Sequence, residues 1–313
     1  SIKNEGLYNS YCLLRDEGPE TFYKGELSKI LVKDLKEINS FINSDDLSDY
    51  NSELTRCDKT DYRNSEVHVA PGLNAGPSLI DALNFLEKNW SPKNNNPDAD
   101  AYENYYKALH FSFEKRLKEM GEPKENSCTT HLSVVDKEGN MVALTQTLLS
   151  VFGSRVILPE SGILMNNGIM WFDPRQGKPN SLSKDKKPLC NMCPTIVIDN
   201  SGKKIALGAS GGRRIFPSVF QTISFLLDYN MNLDDAFTTP RIDYSGENRI
   251  LANEKLGKDI IGNLNNYEKT IEVPDSVLSH SFACPNAVMS DATGNRYGNA
   301  YIPSPCSAAI SSE

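Results

Sequence analysis

The sequence has no run approaching ~18 consecutive apolar residues, so nothing in it reads as a membrane-spanning helix. It has no excess of basic charge. Acidic residues outnumber basic ones, 41 to 33, for a formal net charge of −8. That balance lacks the basic footprint that phosphate backbones require, which argues against a nucleic-acid partner. Histidine is scarce, with four residues, and the seven cysteines (Cys12, Cys57, Cys128, Cys190, Cys193, Cys284 and Cys306) are odd in number and widely scattered. Such spacing does not make a disulfide framework and favours a reducing compartment such as the cytoplasm. The opening Ser1-Ile2-Lys3-Asn4-Glu5-Gly6 has neither an initiator Met nor the basic patch and apolar stretch of a signal peptide. The chain therefore reads as a piece of a larger product, and a periplasmic or secreted location stays open. What is present is a globular composition, 39% apolar and 24% charged. Its 313 residues suffice for about two domains or one large one.

The first part is patterned helically. Leu7 to Glu17, Glu20 to Asn39, Ser78 to Asn89 and Ala99 to Met120 carry apolar residues every three to four positions. The last of these is expected to bury Tyr102, Tyr105, Leu109, Phe111 and Leu117. Ser44-Asp45-Asp46-Leu47 suggests a capped turn, and Glu66 to Pro71 a short strand. Residues 121–126 read as a linker. At Cys128 the period changes to two. His131 to Val135 and Met141 to Thr147 then form a hairpin around a five-residue loop, Asp136 to Asn140. A second hairpin pairs Thr195 to Ile198 with Lys204 to Leu207. A Gly-rich turn, Gly208 to Arg214, follows it into a helix from Ile215 to Tyr229. Helices first and hairpins later predict an α+β chain of layered sheets covered by helices.

The hairpin register carries a chemical implication. If Val135 faces Met141, counting back sets Thr129 opposite Thr147, with their Cβ atoms ~4.5–5.5 Å apart on one face. A slip of one residue would pair Thr129 with Leu148 instead. A threonine hydroxyl needs a base to act as a nucleophile. A threonine at a chain's N-terminus can use its own α-amine, whose pKa of ~7.7–8.0 suits proton transfer near neutrality. Here that requires cleavage between Cys128 and Thr129. Taken alone, a Thr-Thr pair is only a good β-former. Likewise Gly211-Gly212 at a helix start offers outward N–H groups for an oxyanion, yet alone is only a turn. The Cys190-x-x-Cys193 pair has no second pair to complete a zinc site and precedes a strand rather than opening a helix, so we read it as packing.

Together these segments resemble the γ-glutamyltranspeptidase family of N-terminal-nucleophile hydrolases. The resemblance rests on Thr129-Thr130-His131-Leu132-Ser133-Val134-Val135-Asp136, Glu160-Ser161-Gly162-Ile163-Leu164-Met165-Asn166-Asn167, Lys187 to Val197 and Gly211-Gly212, in that order. Glu17 to Gly25 is similar to part of the family's large subunit. The resemblance implies an αββα sandwich with a mainly helical large-subunit portion, residues 1–128, and a small subunit, residues 129–313. It implies self-cleavage before Thr129, with Thr129 as nucleophile, Thr147 as its hydrogen-bonding partner, and Gly211 and Gly212 as oxyanion hole. It calls for no metal or cofactor. The expected partners are a γ-glutamyl or related amide substrate, the other processed subunit, and a family N-terminal segment that has no counterpart here.

This sequence departs from the family at the positions expected to hold a substrate's free amino-acid end. Cys190 and Asn191 replace a serine pair, Gly168 and Trp171 replace polar and acidic residues, and Leu149 replaces an asparagine. Arg175, Arg213 or Arg214 would supply a carboxylate ligand instead, Arg213 being favoured for its place beside the oxyanion turn. Two alternatives stay open. One is a cephalosporin-acylase-like enzyme with an apolar acyl pocket of Trp171 and Leu149. The other is a non-processing relative acting as a binding protein.

Overall fold

A computed structural model describes residues 3–121, 128–274, 276–277, 281–301 and 303–311. The expected linker at 121–126 lies, but for Gly121, outside the described residues. The chain forms two compact units, one of residues 1–55 with 148–168, the other of residues 56–147 with 169–313. The expected division at 128/129 concerns backbone cleavage, and that bond lies inside the second unit.

The first unit holds α1 (Glu5–Glu17), α2 (Glu20–Tyr23), α3 (Glu26–Glu37) and α4 (Ser44–Ser48). The single helix expected over Glu20 to Asn39 is broken at Lys24-Gly25. A Cβ at Gly25 would lie 2.6 Å from Thr21 Cα, so only glycine lets the chain turn this tightly. Helix α4 is capped by Asn43, whose side chain accepts from Asp45 and Asp46, rather than by Ser44. Leu27, Leu31 and Leu35 recur at four-residue intervals on α3 and bury against Leu158. The buried Asp34 carboxylate accepts from the backbone N–H groups of Glu160 and Ser161 and from the Ser161 hydroxyl.

The second unit is built on a six-stranded antiparallel sheet. Its strands are β1 (Asp58–Tyr62), β2 (Ser65–Val69), β5 (Thr195–Asp199), β6 (Lys204–Ser210), β10 (Cys284–Ser290) and β11 (Arg296–Ala300), side by side in that order. The hairpin of β3 (Thr129–Val135) and β4 (Met141–Thr147) is separate from this sheet. Helices α5 (Gly76–Asn89) and α7 (Ile215–Asp228) pack on one sheet face, and α6 (Ala99–Glu119) packs against α5. There Leu79, Leu83, Tyr105, Leu109, Phe216 and Phe220 bury against Val67, Val197, Ile205 and Leu207. Phe111, expected in that core, is exposed, and Phe113 takes its place. Helices α8 (Leu233–Thr238) and α9 (Lys258–Leu264) and a small sheet of β7 (Ile242–Asp243), β8 (Ile250–Asn253) and β9 (Thr270–Val273) complete the unit.

Burial follows position in the sheet. Strand β2 alternates, with Ser65, Val67 and Val69 inside. Central β6 is buried at five successive residues, because α7 covers one face and β3–β4 the other. Strand β1 escapes sequence reading, since Asp58-Lys59-Thr60-Asp61-Tyr62 is an edge strand with charged, mostly exposed side chains. It joins β2 through Arg63-Asn64, both at positive φ (47° and 61°), the two-residue turn whose twist suits a hairpin.

Candidate active site

The β3–β4 register agrees with the count from the loop. Thr129 pairs with Thr147, His131 with Thr145, and Val135 with Met141. The five-residue loop is closed by Asp136, whose carboxylate accepts from the Asn140 N–H and side-chain amide. Strand alternation points Thr129, His131, Ser133, Thr145 and Thr147 inward. The outward face carries Thr130 and Gln146 at one end and is otherwise apolar: Leu132, Val134, Val142 and Leu144 are 39–53% exposed.

The Thr147 hydroxyl donates to the carbonyl oxygen of Cys128 at 3.1 Å. This is the carbonyl a cleavage before Thr129 must attack. Deeper in the hairpin, His131 is 6% exposed, with Nδ1 2.7 Å from the Thr145 hydroxyl and Nε2 3.0 Å from that of Ser133. Burial lowers its pKa from 6.5 to about 4, so it is neutral and can donate at one nitrogen and accept at the other. Its ring occupies the space over β6 left by Gly208, where a Cβ would fall 2.2–2.5 Å from three ring atoms. The Asn286 amide donates to the His131 carbonyl, tying β3 to β10.

Thr129 opens onto a cavity of about 370 Å³ that it shares with His131, Ser210, Cys284, Asn286 and Cys306. Ser210 ends β6 and is followed by the glycine turn. Gly211 (φ 147°) and Gly212 (φ 63°) hold conformations that disfavour a side chain, and a Cβ on Gly211 would meet Ala283 at 2.7 Å. The turn expected as oxyanion hole thus begins one residue from a residue lining the Thr129 cavity.

The expected substrate-binding residues are more scattered. Cys190 and Asn191 are buried on a loop held by Arg116. Arg116 donates to the Cys190 carbonyl (2.7 Å), the Asn191 side chain (3.2 Å), the Asn74 carbonyl (2.8 Å) and the Ser78 hydroxyl (3.2 Å). Arg213 is buried close enough to Arg116 to disfavour its charge. Arg175 is engaged by Asp173 through two nitrogens, and the Arg214 guanidinium lies 3.8 Å from the Asp243 carboxylate. Leu149 is fully buried and belongs to the first unit. Trp171 is half-buried and belongs to the second. The thiols of Cys190 and Cys193 are buried, and burial pushes Cys193 up to about 12, which suits packing rather than thiolate chemistry. Among the described residues no group of three or more His, Cys, Asp or Glu side chains is arranged to hold a metal. No helix among them is long and apolar enough to cross a membrane. Arg116, Cys284, Asn286 and Cys306 have no local sequence signal, since contacts from distant segments define them.

Residues 1–128 and 122–300 match the sequence model of the γ-glutamyltranspeptidase family. The chain belongs to that family. The glutathione hydrolase proenzyme of Escherichia coli strain K12 is 28% identical over 296 residues, covering 78% of this chain and 51% of the relative. The acylase ACY 1 proenzyme of Pseudomonas sp. strain V22 is 29% identical over 271 residues, covering 74% of this chain and 49% of the relative. The chain thus spans about half the length of the curated relatives it matches. Among solved structures, the cephalosporin acylase of Bacillus halodurans superposes with a TM-score of 0.85 at 21% identity, over 96% of this chain and 61% of that one. The fold of this γ-glutamyltranspeptidase-family chain is therefore the layered α+β fold of N-terminal-nucleophile hydrolases expected from its sequence.

Proposed function

We propose that the chain is the nucleophile-bearing part of a self-cleaving threonine amidohydrolase or acyltransferase acting on γ-glutamyl or related amides. The observation that carries this reading is the Thr147 hydroxyl on the Cys128 carbonyl beside the paired Thr129. In the precursor, the Thr129 hydroxyl oxygen attacks the Cys128 carbonyl carbon, and Thr147 stabilises the developing oxyanion. The Cys128–Thr129 C–N bond breaks as the amine takes a proton, leaving an ester on Thr129. Water hydrolyses the ester, releasing a Cys128 carboxylate and restoring the Thr129 hydroxyl beside its α-amine, already freed when the C–N bond broke. The mature site repeats the chemistry on an external amide. The α-amine accepts the Thr129 hydroxyl proton, the acyl group passes to Thr129 as the substrate's amide C–N bond breaks, and the α-amine hands that proton to the departing substrate amine. The N–H groups of Gly211 and Gly212 steady the tetrahedral oxyanion. Water or an amine then accepts the acyl group.

Processing would leave a heterodimer of the two chain portions. The part of the relatives that this sequence does not cover would then pack on the exposed apolar face of β3–β4, which needs a partner layer. Arg213, with Asn191 and Cys190, is proposed to receive an acidic substrate end, and Trp171 to border the acyl group. The names of the acylase relatives, together with the replaced serine pair, favour a second reading in which the acyl group is not γ-glutamyl.

Intact mass and N-terminal sequencing of the folded full-length protein test the first step. A fragment beginning at Thr129 supports the nucleophile. A chain that stays whole leaves Thr129 without an amine and overturns the reading in favour of a binding protein. Rates on matched γ-glutamyl and glutaryl anilides then separate the two acyl classes. An Arg213→Ala enzyme with unchanged KM for acidic substrates would remove Arg213 from the site.

A further inference from the structure

The outer corner of the six-stranded sheet carries a second group of chemically connected side chains. Lys59 pairs with His68 across β1 and β2, and Asp61 with Glu66, so the period of two sets Lys59, Asp61, Glu66 and His68 on one face. Cys57, two residues before Lys59, extends the same row. Its Sγ lies 3.5 Å from His68 Nδ1. On the far side of the ring, His68 Nε2 lies 3.1 Å from Glu66 Oε2. The other oxygen of Glu66 accepts from Lys59 Nζ at 2.5 Å. A thiol, an imidazole and a carboxylate thus stand in series, the order in which a base is placed on a nucleophile and then oriented.

Lys59 lies within electrostatic range of Cys57, and Lys59, with His68 second, holds the Glu66 carboxyl below its usual range. Cys57 is also accessible. Among the described residues only it and Cys306 are exposed cysteines. Cys306 lines the Thr129 cavity, and among the described residues no imidazole lies within hydrogen-bond distance of its sulfur.

We propose that Cys57, with His68 as base and Glu66 as its orienting carboxylate, is a reactive surface thiol that exchanges with low-molecular-weight disulfides. The Cys57 proton passes to His68 Nδ1, and the thiolate attacks one sulfur of the disulfide R–S–S–R. A new S–S bond forms on Cys57 as the old one breaks. The departing R–S⁻ takes the proton from His68 and leaves as a thiol. Cys57 is oxidised to a mixed disulfide and the external disulfide is reduced by the same two electrons. The group is separate from Thr129, so the modification stands whether or not the chain processes itself.

The test uses bis(2-hydroxyethyl) disulfide, which carries no amide for the proposed hydrolase to cleave. The full-length protein is incubated with it, and adducts are followed by intact mass and assigned by peptide mapping. Cys57 should be modified at least about tenfold faster than Cys306 near neutral pH. His68→Ala should abolish that preference, and Glu66→Gln should reduce it. These side chains lie at the sheet surface, and thermal melts of the variants confirm that they fold. Equal rates at Cys57 and Cys306, or an unchanged Cys57 rate in a folded His68→Ala protein, would overturn the proposal.

Discussion

Thr147 Oγ1 donates to the carbonyl oxygen of Cys128 across the end of the β3–β4 hairpin, at 3.1 Å. The hydroxyl is held there by register, since Thr147 faces Thr129 in the ladder. In the proposed self-cleavage it would act before any free amine exists, on the bond whose cleavage would create one. Thr147→Val keeps the shape of the side chain and removes the donor. It should slow appearance of the Thr129 fragment by about 10²-fold, the usual scale for one lost oxyanion donor, whereas Thr147→Ser should stay near wild type. Thr129→Ala should abolish the fragment. Time courses of intact mass for the three variants check this.

The contact between His131 and Gly208 gives a prediction about packing alone. A Cβ at position 208 would fall 2.2–2.5 Å from three atoms of the imidazole ring, so Gly208→Ala must push β3 off β6 or rotate the histidine. A loss of about 1–3 kcal/mol is expected from such overpacking. In a His131→Ala background the same substitution should cost much less, because the ring it clashes with is gone. A double-mutant cycle in urea measures this coupling directly.

The hairpin was legible because a five-residue loop and a period of two leave one register that keeps both sets of inward residues together. Helix-length patterns were legible for the same reason, periodicity. The break at Lys24-Gly25 was hidden because apolar spacing runs through it, and only the close approach to Thr21 demands the glycine. Strand β1 was hidden because an exposed edge has no apolar face to show. Arg116 and the Cys57–His68–Glu66 row were beyond reach because they join residues that no local pattern relates. The family motifs singled out Thr129 and the glycine turn as candidates, but the cavity joining Thr129 to Ser210 is formed by strands and loops distant in sequence.

His131 also makes acid sensitivity predictable. Its folded pKa of about 4 lies below the unfolded value of ~6.5. Between these values the unfolded chain takes up a proton that the folded chain refuses. The folded state is therefore unpenalised above pH ~6.5 and loses stability as pH falls from there towards 4, by up to about 3 kcal/mol. His131→Gln keeps hydrogen-bonding capacity without a titrating group and should flatten this limb. Urea unfolding at several pH values between 4 and 7 reads the difference.

Arg116 is 2% exposed, and its partners are two carbonyls, a hydroxyl and an amide oxygen. One guanidinium thus pins the start of α5 and the 190–191 loop at once, and its planar fork is what reaches all four acceptors. Arg116→Ala should cost on the order of 3 kcal/mol, since it strands several buried acceptors, and its melting temperature should fall accordingly. Arg116→Lys keeps the charge but concentrates it at one ammonium, so the protein should fold while the 190–191 loop loses part of its anchorage. If Cys190 and Asn191 touch substrate, that variant should raise KM with kcat nearly held, because the nucleophile and the glycine turn are untouched. A lower melting temperature with unchanged KM would mean that Arg116 supports the fold only, and would move the substrate's acidic end away from this loop.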